Sequence, residues 1–168
     1  MELLINNKLA NEKLINCKNE LKIIKGQIDK DKLSLSNKYL IEYAIVFSSA
    51  SIEVAVKTII ADTVSMNVNA HAKNYLDKAI RNNSMNPSLS KIRAMLTEIN
   101  KEWRTSVDKK ISESTKRDEI TTSLDNIVKN RNSIAHGRSV QATINNVIKW
   151  VDDSIEIIKI IDETVIIE

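Results

Sequence analysis

The chain has 168 residues, 42% hydrophobic and 28% charged, with a net charge of +3. It is long enough to bury a real core, and its balance is that of a globular protein open to a polyanionic ligand. A single cysteine, Cys17, excludes an intrachain disulfide, and one Cys with two His cannot furnish a structural zinc site from one chain. Two glycines and one proline are so few turn residues that the prediction is all-α.

The N-terminal MELLINNKLANEK carries acid and amide residues where a signal peptide needs basic residues and then an apolar run. No uncharged apolar stretch reaches the roughly 18 residues that span a bilayer. A soluble, cytoplasmic protein with no membrane partner is expected.

From Glu2 to Asp31 the spacing of Leu3, Ala10, Leu14, Cys17, Leu21, Ile24 and Ile28 predicts one long amphipathic helix. Lys8, Lys13, Lys18, Lys22 and Lys25 form its solvated outer face. A polar break follows, and Ser36 is the predicted cap of a second helix over Asn37 to Ser65. In that helix Tyr43 to Ile52 (YAIVFSSASI) has no charge and apolar residues on nearly every side, which predicts a central position. Ser48, Ser49, Ala50 and Ser51 permit close approach of a neighbour. The polar wedge holds Glu42, Glu53 and Lys57. Glu53 has two readings, an i, i+4 surface pair with Lys57 or a buried partner for an arginine further on.

Residues 67–119 read as the variable part. A short helix is expected near Ala70 to Arg81, then the loop NNSMNPS, then a helix from about Ser88 to Lys101. His71 reads as a surface histidine. Trp103, near Arg104, Lys109 and Lys110, either packs on the core or stacks a base beside basic side chains.

A helix from Thr115 to Ala135 carries the stretch of most chemical interest, Arg131-Asn132-Ser133-Ile134-Ala135-His136-Gly137. Ile120, Leu124, Ile127 and Val128 define its apolar stripe, and Arg131 projects near the middle of it, with Ile134 and Ala135 on either side. A guanidinium there requires a carboxylate, a phosphate or a wet cavity, and Glu53 is the candidate carboxylate. Asn132 and His136 are four residues apart and share a face. Gly137 ends the helix without a Cβ penalty. Thr143 then caps a last helix with Ile144, Val147, Ile148, Val151, Ile155 and Ile158 on one stripe. Trp150, Ile157, Ile160 and Ile161 broaden that stripe enough to reach a partner. No internal repeat is present.

Arg131, four intervening residues and His136, within the fuller string RNSIAHG, resemble the signature of the HEPN superfamily, as found in stand-alone HEPN proteins of prokaryotic toxin–antitoxin and phage-defence loci. The resemblance covers Asn37 to Ser65 and Thr115 to Ile161. It implies an antiparallel bundle of about five or six helices in a single domain over residues 1–168. The long helix would run over 2–31 and the core helices over about 37–65, 115–136 and 143–166. It also implies a metal-independent endoribonuclease without cofactor, dimeric, with two motifs meeting at the interface. Arg131, Asn132 and His136 match the motif positions, and Glu53 corresponds to the acidic residue often found on the preceding core helix. A cognate antitoxin or defence-system partner belongs to the same picture.

The chemistry suits these residue types. RNA carries its own nucleophile, the ribose 2′-OH, and an imidazole ordinarily exchanges a proton near neutral pH. An arginine can hold the phosphate and stabilise the added charge of its transition state. One His per chain leaves acid and base to be shared, which symmetric pairing of two chains would supply. The alternatives are a non-catalytic HEPN-like module binding a nucleotide, an RNA or a protein, and a structural bundle in which Arg131 forms a buried ion pair.

Overall fold

The computed structural model describes residues 4–165. The uncharged run from Tyr43 to Ile52 lies within α2 (Asn37–Val64), the helix the other elements surround. It packs on α1 (Lys8–Lys30), α3 (Ala70–Ile80), α6 (Arg117–Ala135) and α7 (Ile144–Asp162). Ile45, Ile52, Ile59 and Ile60 are fully buried in the shared core. Serines 48, 49 and 51 are buried as well. Their small side chains let α1 come close, with Cys17 Sγ 3.8 Å from Ser48 Oγ. Burial pushes the Cys17 thiol up from its ordinary range. Tyr39, Tyr43, Val46 and Val54 remain exposed, so the central helix keeps one open apolar edge.

By length and composition α2 could cross a bilayer, although its sequence includes charges that interrupt any wholly apolar run. Its most apolar 18-residue window is 72% buried inside the fold, as in the core helix of a folded domain.

Helix α1 begins later than its apolar spacing predicts. Asn7 is the N-cap, its side chain accepting the Ala10 N–H at 3.0 Å. Before it the backbone is held by side chains: Asn11 Oδ1 accepts from Leu4 and Ile5, and Asp162 accepts from Asn6 and Asn7. The predicted start at Glu2 and the stripe residue Leu3 lie outside the described residues, whereas the last helix ends at Asp162, short of the predicted 166, because the chain turns off at Glu163, whose N–H reaches Lys159 O at 2.9 Å. Ser36 occupies the N-cap position of α2 without capping it. Its hydroxyl is 2.8 Å from that of Ser34 instead.

The middle of the chain holds one helix more than expected, giving seven among the described residues. The helix predicted to Lys101 stops as α4 (Leu89–Ile99), and α5 (Lys101–Glu113) starts at once. Asn100 makes the break. Its backbone is extended and its side chain accepts the N–H groups of Glu102 and Trp103. Trp103 packs against the core, and Arg104 is tied to Asp108, so the packing reading of this region holds. His71 is exposed on α3.

Helices α6 and α7 lie side by side, joined by residues 136–143. Thr143 caps α7 as expected, through a reciprocal bond pair with Asn146. Its broad apolar face is absorbed within the chain: Ile157 and Ile161 are buried, and Ile148, Trp150 and Ile160 pack on the core.

Candidate active site at the end of helix α6

The apolar stripe of α6 is buried through Ile120, Leu124, Ile127 and Val128 and then leaves the core. Its last turn therefore stands half in solvent. Gly137 adopts a left-handed φ of 69°. The Arg138 N–H reaches back to Ser133 O at 2.8 Å and the Gly137 N–H to Ile134 O at 2.9 Å. This paired closure is a Schellman turn, which satisfies the terminal carbonyls and reverses the chain sharply. The turn sets His136 at the helix end, exposed, and brings Arg138 back beside it.

Asn132, Ser133, His136 and Arg138 share a cleft of about 620 Å³ with Lys129, Asn126, Asp125 and Thr122. The i, i+4 placement of Asn132 and His136 is thus realised on one wall. Lys129 and Arg138 supply positive charge along it, against the one carboxylate of Asp125. Among the described residues no three His, Cys, Asp or Glu side chains gather as a metal-holding group.

Arg131 departs from its expected surroundings. It is half-buried, not packed in the core stripe, and Ala135 beside it is exposed. It does not line the His136 cleft. Its Nη1 donates to Asn132 Oδ1 at 3.4 Å, and among the described residues it meets no carboxylate.

Glu53 is not its partner. The Glu53 carboxylate accepts from Lys57 Nζ and from the Met85 N–H at 3.0 Å. Helix geometry sets Lys57 one turn away from Glu53, and the 82–88 loop folds over both. Lys57, only 4% exposed, also donates to the carbonyl of Asn83. A buried lysine paired with a half-buried glutamate on α2 thus pins this loop, whose own Met85 and Pro87 are buried.

The pinned loop reaches the motif. Asn86 Nδ2 donates to Asn132 Oδ1 at 3.1 Å. Sequence reading assigned Asn86 and Lys57 no part in the site, and it missed Arg138. The only available signal was an asparagine-rich loop carrying the chain's one proline. Nothing in that string indicates a contact with a residue 46 positions away.

The family model RiboL-PSP-HEPN matches residues 12–166 of this chain. The chain belongs to the HEPN superfamily. The all-helical fold and the match together agree with a HEPN bundle, and the match extends over α1 and the middle segment, which carried no recognisable motif. No curated protein and no solved structure matches the chain.

Proposed function

We propose that this HEPN protein is a metal-independent endoribonuclease of the toxin or phage-defence type, acting in the cytoplasm, with the whole chain serving as one catalytic domain. Membership in the superfamily supports a nuclease-like or related role. The observation that carries the finer reading is the shared cleft, in which an exposed imidazole and an amide stand beside two cationic side chains at the end of α6.

In this reading His136 takes the proton from the ribose 2′-OH as that oxygen attacks the adjacent phosphorus. The 5′-oxygen leaves and receives a proton from a second imidazole, giving a 2′,3′-cyclic phosphate and a 5′-hydroxyl. Asn132 donates a hydrogen bond to a phosphate oxygen, and an arginine stabilises the charge that accumulates there. One chain brings a single His136 to the cleft, and its Arg131 lies outside the lining. A homodimer in which the partner adds its own His136 and Arg131 completes the set. RNA is the substrate because the nucleophile is the 2′-OH itself. A cognate antitoxin or defence partner would act by covering this cleft.

The test is a set of oligoribonucleotides, each with a single 2′-deoxy substitution, offered beside the all-ribose parent. Cleavage is expected to vanish only where the deoxy sugar precedes the scissile phosphate. Cleavage that ignores the substitution overturns the 2′-OH mechanism. Tight RNA binding without turnover would favour the non-catalytic module.

A further inference from the structure

We infer that Asn86, on the 82–88 loop, is a positioning residue that fixes the amide of Asn132 with its NH2 group turned toward the substrate phosphate. This rests on the ribonuclease reading of the cleft. Asn132 Oδ1 accepts two hydrogen bonds, from Asn86 Nδ2 at 3.1 Å and from Arg131 Nη1 at 3.4 Å. An amide presents its acceptor oxygen and its donor nitrogen at opposite edges of one planar group. Two donors on Oδ1 therefore determine which way the group faces and leave Nδ2 as the outward donor. Asn132 lines the cleft with His136 and Arg138, and its Nδ2 is uncommitted among the described residues. An outward acceptor would repel a phosphate, whereas an outward NH2 donates to it. The orientation is itself held from the core. Glu53 and Lys57 on α2 grip the loop at Met85 and Asn83, on the approach to Asn86. The buried Oδ1 of Asn86 has no hydrogen-bond partner among the described residues, so the side chain's one bond is the one it donates to Asn132.

Replacement of Asn86 by Ala removes one donor and frees the Asn132 amide to turn. Replacement by Asp is stronger, because a carboxylate at this point draws Asn132 Nδ2 inward and aims the acceptor at the phosphate. It also offers Arg131 a competing partner.

The experiment measures RNA cleavage by the full chain for wild type, Asn86→Ala, Asn86→Asp, Asn132→Ala and the two double variants. Asn86→Ala is expected to lower kcat/KM about three- to tenfold, the worth of one neutral hydrogen bond, and Asn86→Asp roughly tenfold further. In the Asn132→Ala background Asn86→Ala should lower cleavage no further, because the residue acted upon is gone, and Asn86→Asp should lower it only by what its carboxylate takes from Arg131. A merely structural asparagine would cost the same factor in both backgrounds, and that additive result overturns the inference. The side-chain NH2 signals of Asn132 in a 15N spectrum give a readout independent of activity. They should shift in Asn86→Asp while the Gly137 amide stays in place. If wild type cleaves no RNA but those signals shift, the ribonuclease reading fails and the orientation stands. If wild type cleaves and the signals do not move, the orientation fails alone.

Discussion

Substitution of Lys57 by Met tests whether the α2 charge pair holds the loop against the motif. Methionine keeps most of the alkyl stem and removes the ammonium, so the loss reports the charge contacts more than the packing. Removing one partner of a fully buried ion pair costs about 3–5 kcal/mol. Here the Glu53 side chain retains 22% exposure and still accepts the Met85 N–H, so part of its charge stays solvated. The expected loss is therefore about 2–3 kcal/mol, to which the orphaned Asn83 carbonyl contributes. For a chain of this size that is a fall in Tm of roughly 5–10 °C. Adding Glu53→Gln removes the stranded negative charge and keeps an acceptor for Met85. The double variant should thus recover about 1 kcal/mol relative to Lys57→Met alone. Equilibrium urea unfolding measures both quantities, and hydrogen exchange at the Met85 amide reports the loop directly. A loss under about 0.5 kcal/mol, typical of a surface change, would refute the brace. So would a double variant less stable than the single one.

Gly137→Ala should cost about 1–2 kcal/mol, measured by the same unfolding. The new Cβ meets nothing within 4 Å, so only the left-handed φ of 69° opposes it. Thr143→Ala, which removes the cap of α7, should cost about 1 kcal/mol by thermal unfolding, and an unchanged Tm would contradict the capping geometry. Cys17 should resist alkylation at pH 8 in the folded protein and react once urea unfolds it, because burial disfavours its thiolate. Since folding raises this thiol, its contribution to stability is full below the unfolded value of 9.0 and is lost as pH climbs through the folded one. Arg131→Ala should leave stability within about 0.5 kcal/mol, because the residue is only half-buried and pairs with no described carboxylate. RNA cleavage should fall at least about a hundredfold. A large stability loss with cleavage unaffected would restore the buried ion pair in its place.

Much of the bundle was legible because single residues settled local questions. The absence of charge from Tyr43 to Ile52 marks the core helix, the stripe from Ile144 to Ile158 with Thr143 before it marks α7, and Gly137 marks the end of α6. The errors came where polar residues acted on the backbone. Asn7 and Asn100 each stop or start a helix inside a stretch whose apolar spacing runs on, and spacing cannot register a side chain that accepts backbone N–H groups. The site divides in the same way. Asn132 and His136 share a wall because a helix places i and i+4 together, which sequence alone dictates. Glu53 lay open between two partners, because choosing between Lys57 and Arg131 depends on how α2 meets α6 and where the 82–88 loop falls. Asn86 shows the limit most clearly: its bond to Asn132 is long-range, and composition marks it only as a loop asparagine.

The measurement that tests the central claim most directly is cleavage of a mixed RNA pool in EDTA by wild type and by His136→Ala, with the product ends identified. Wild type is expected to cut without divalent ions and leave 2′,3′-cyclic phosphates, and His136→Ala, folded to the same extent, to leave the RNA intact. Equal cleavage by both proteins, or none by folded wild type on any RNA class, would contradict the assignment of the α6 cleft as a ribonuclease site.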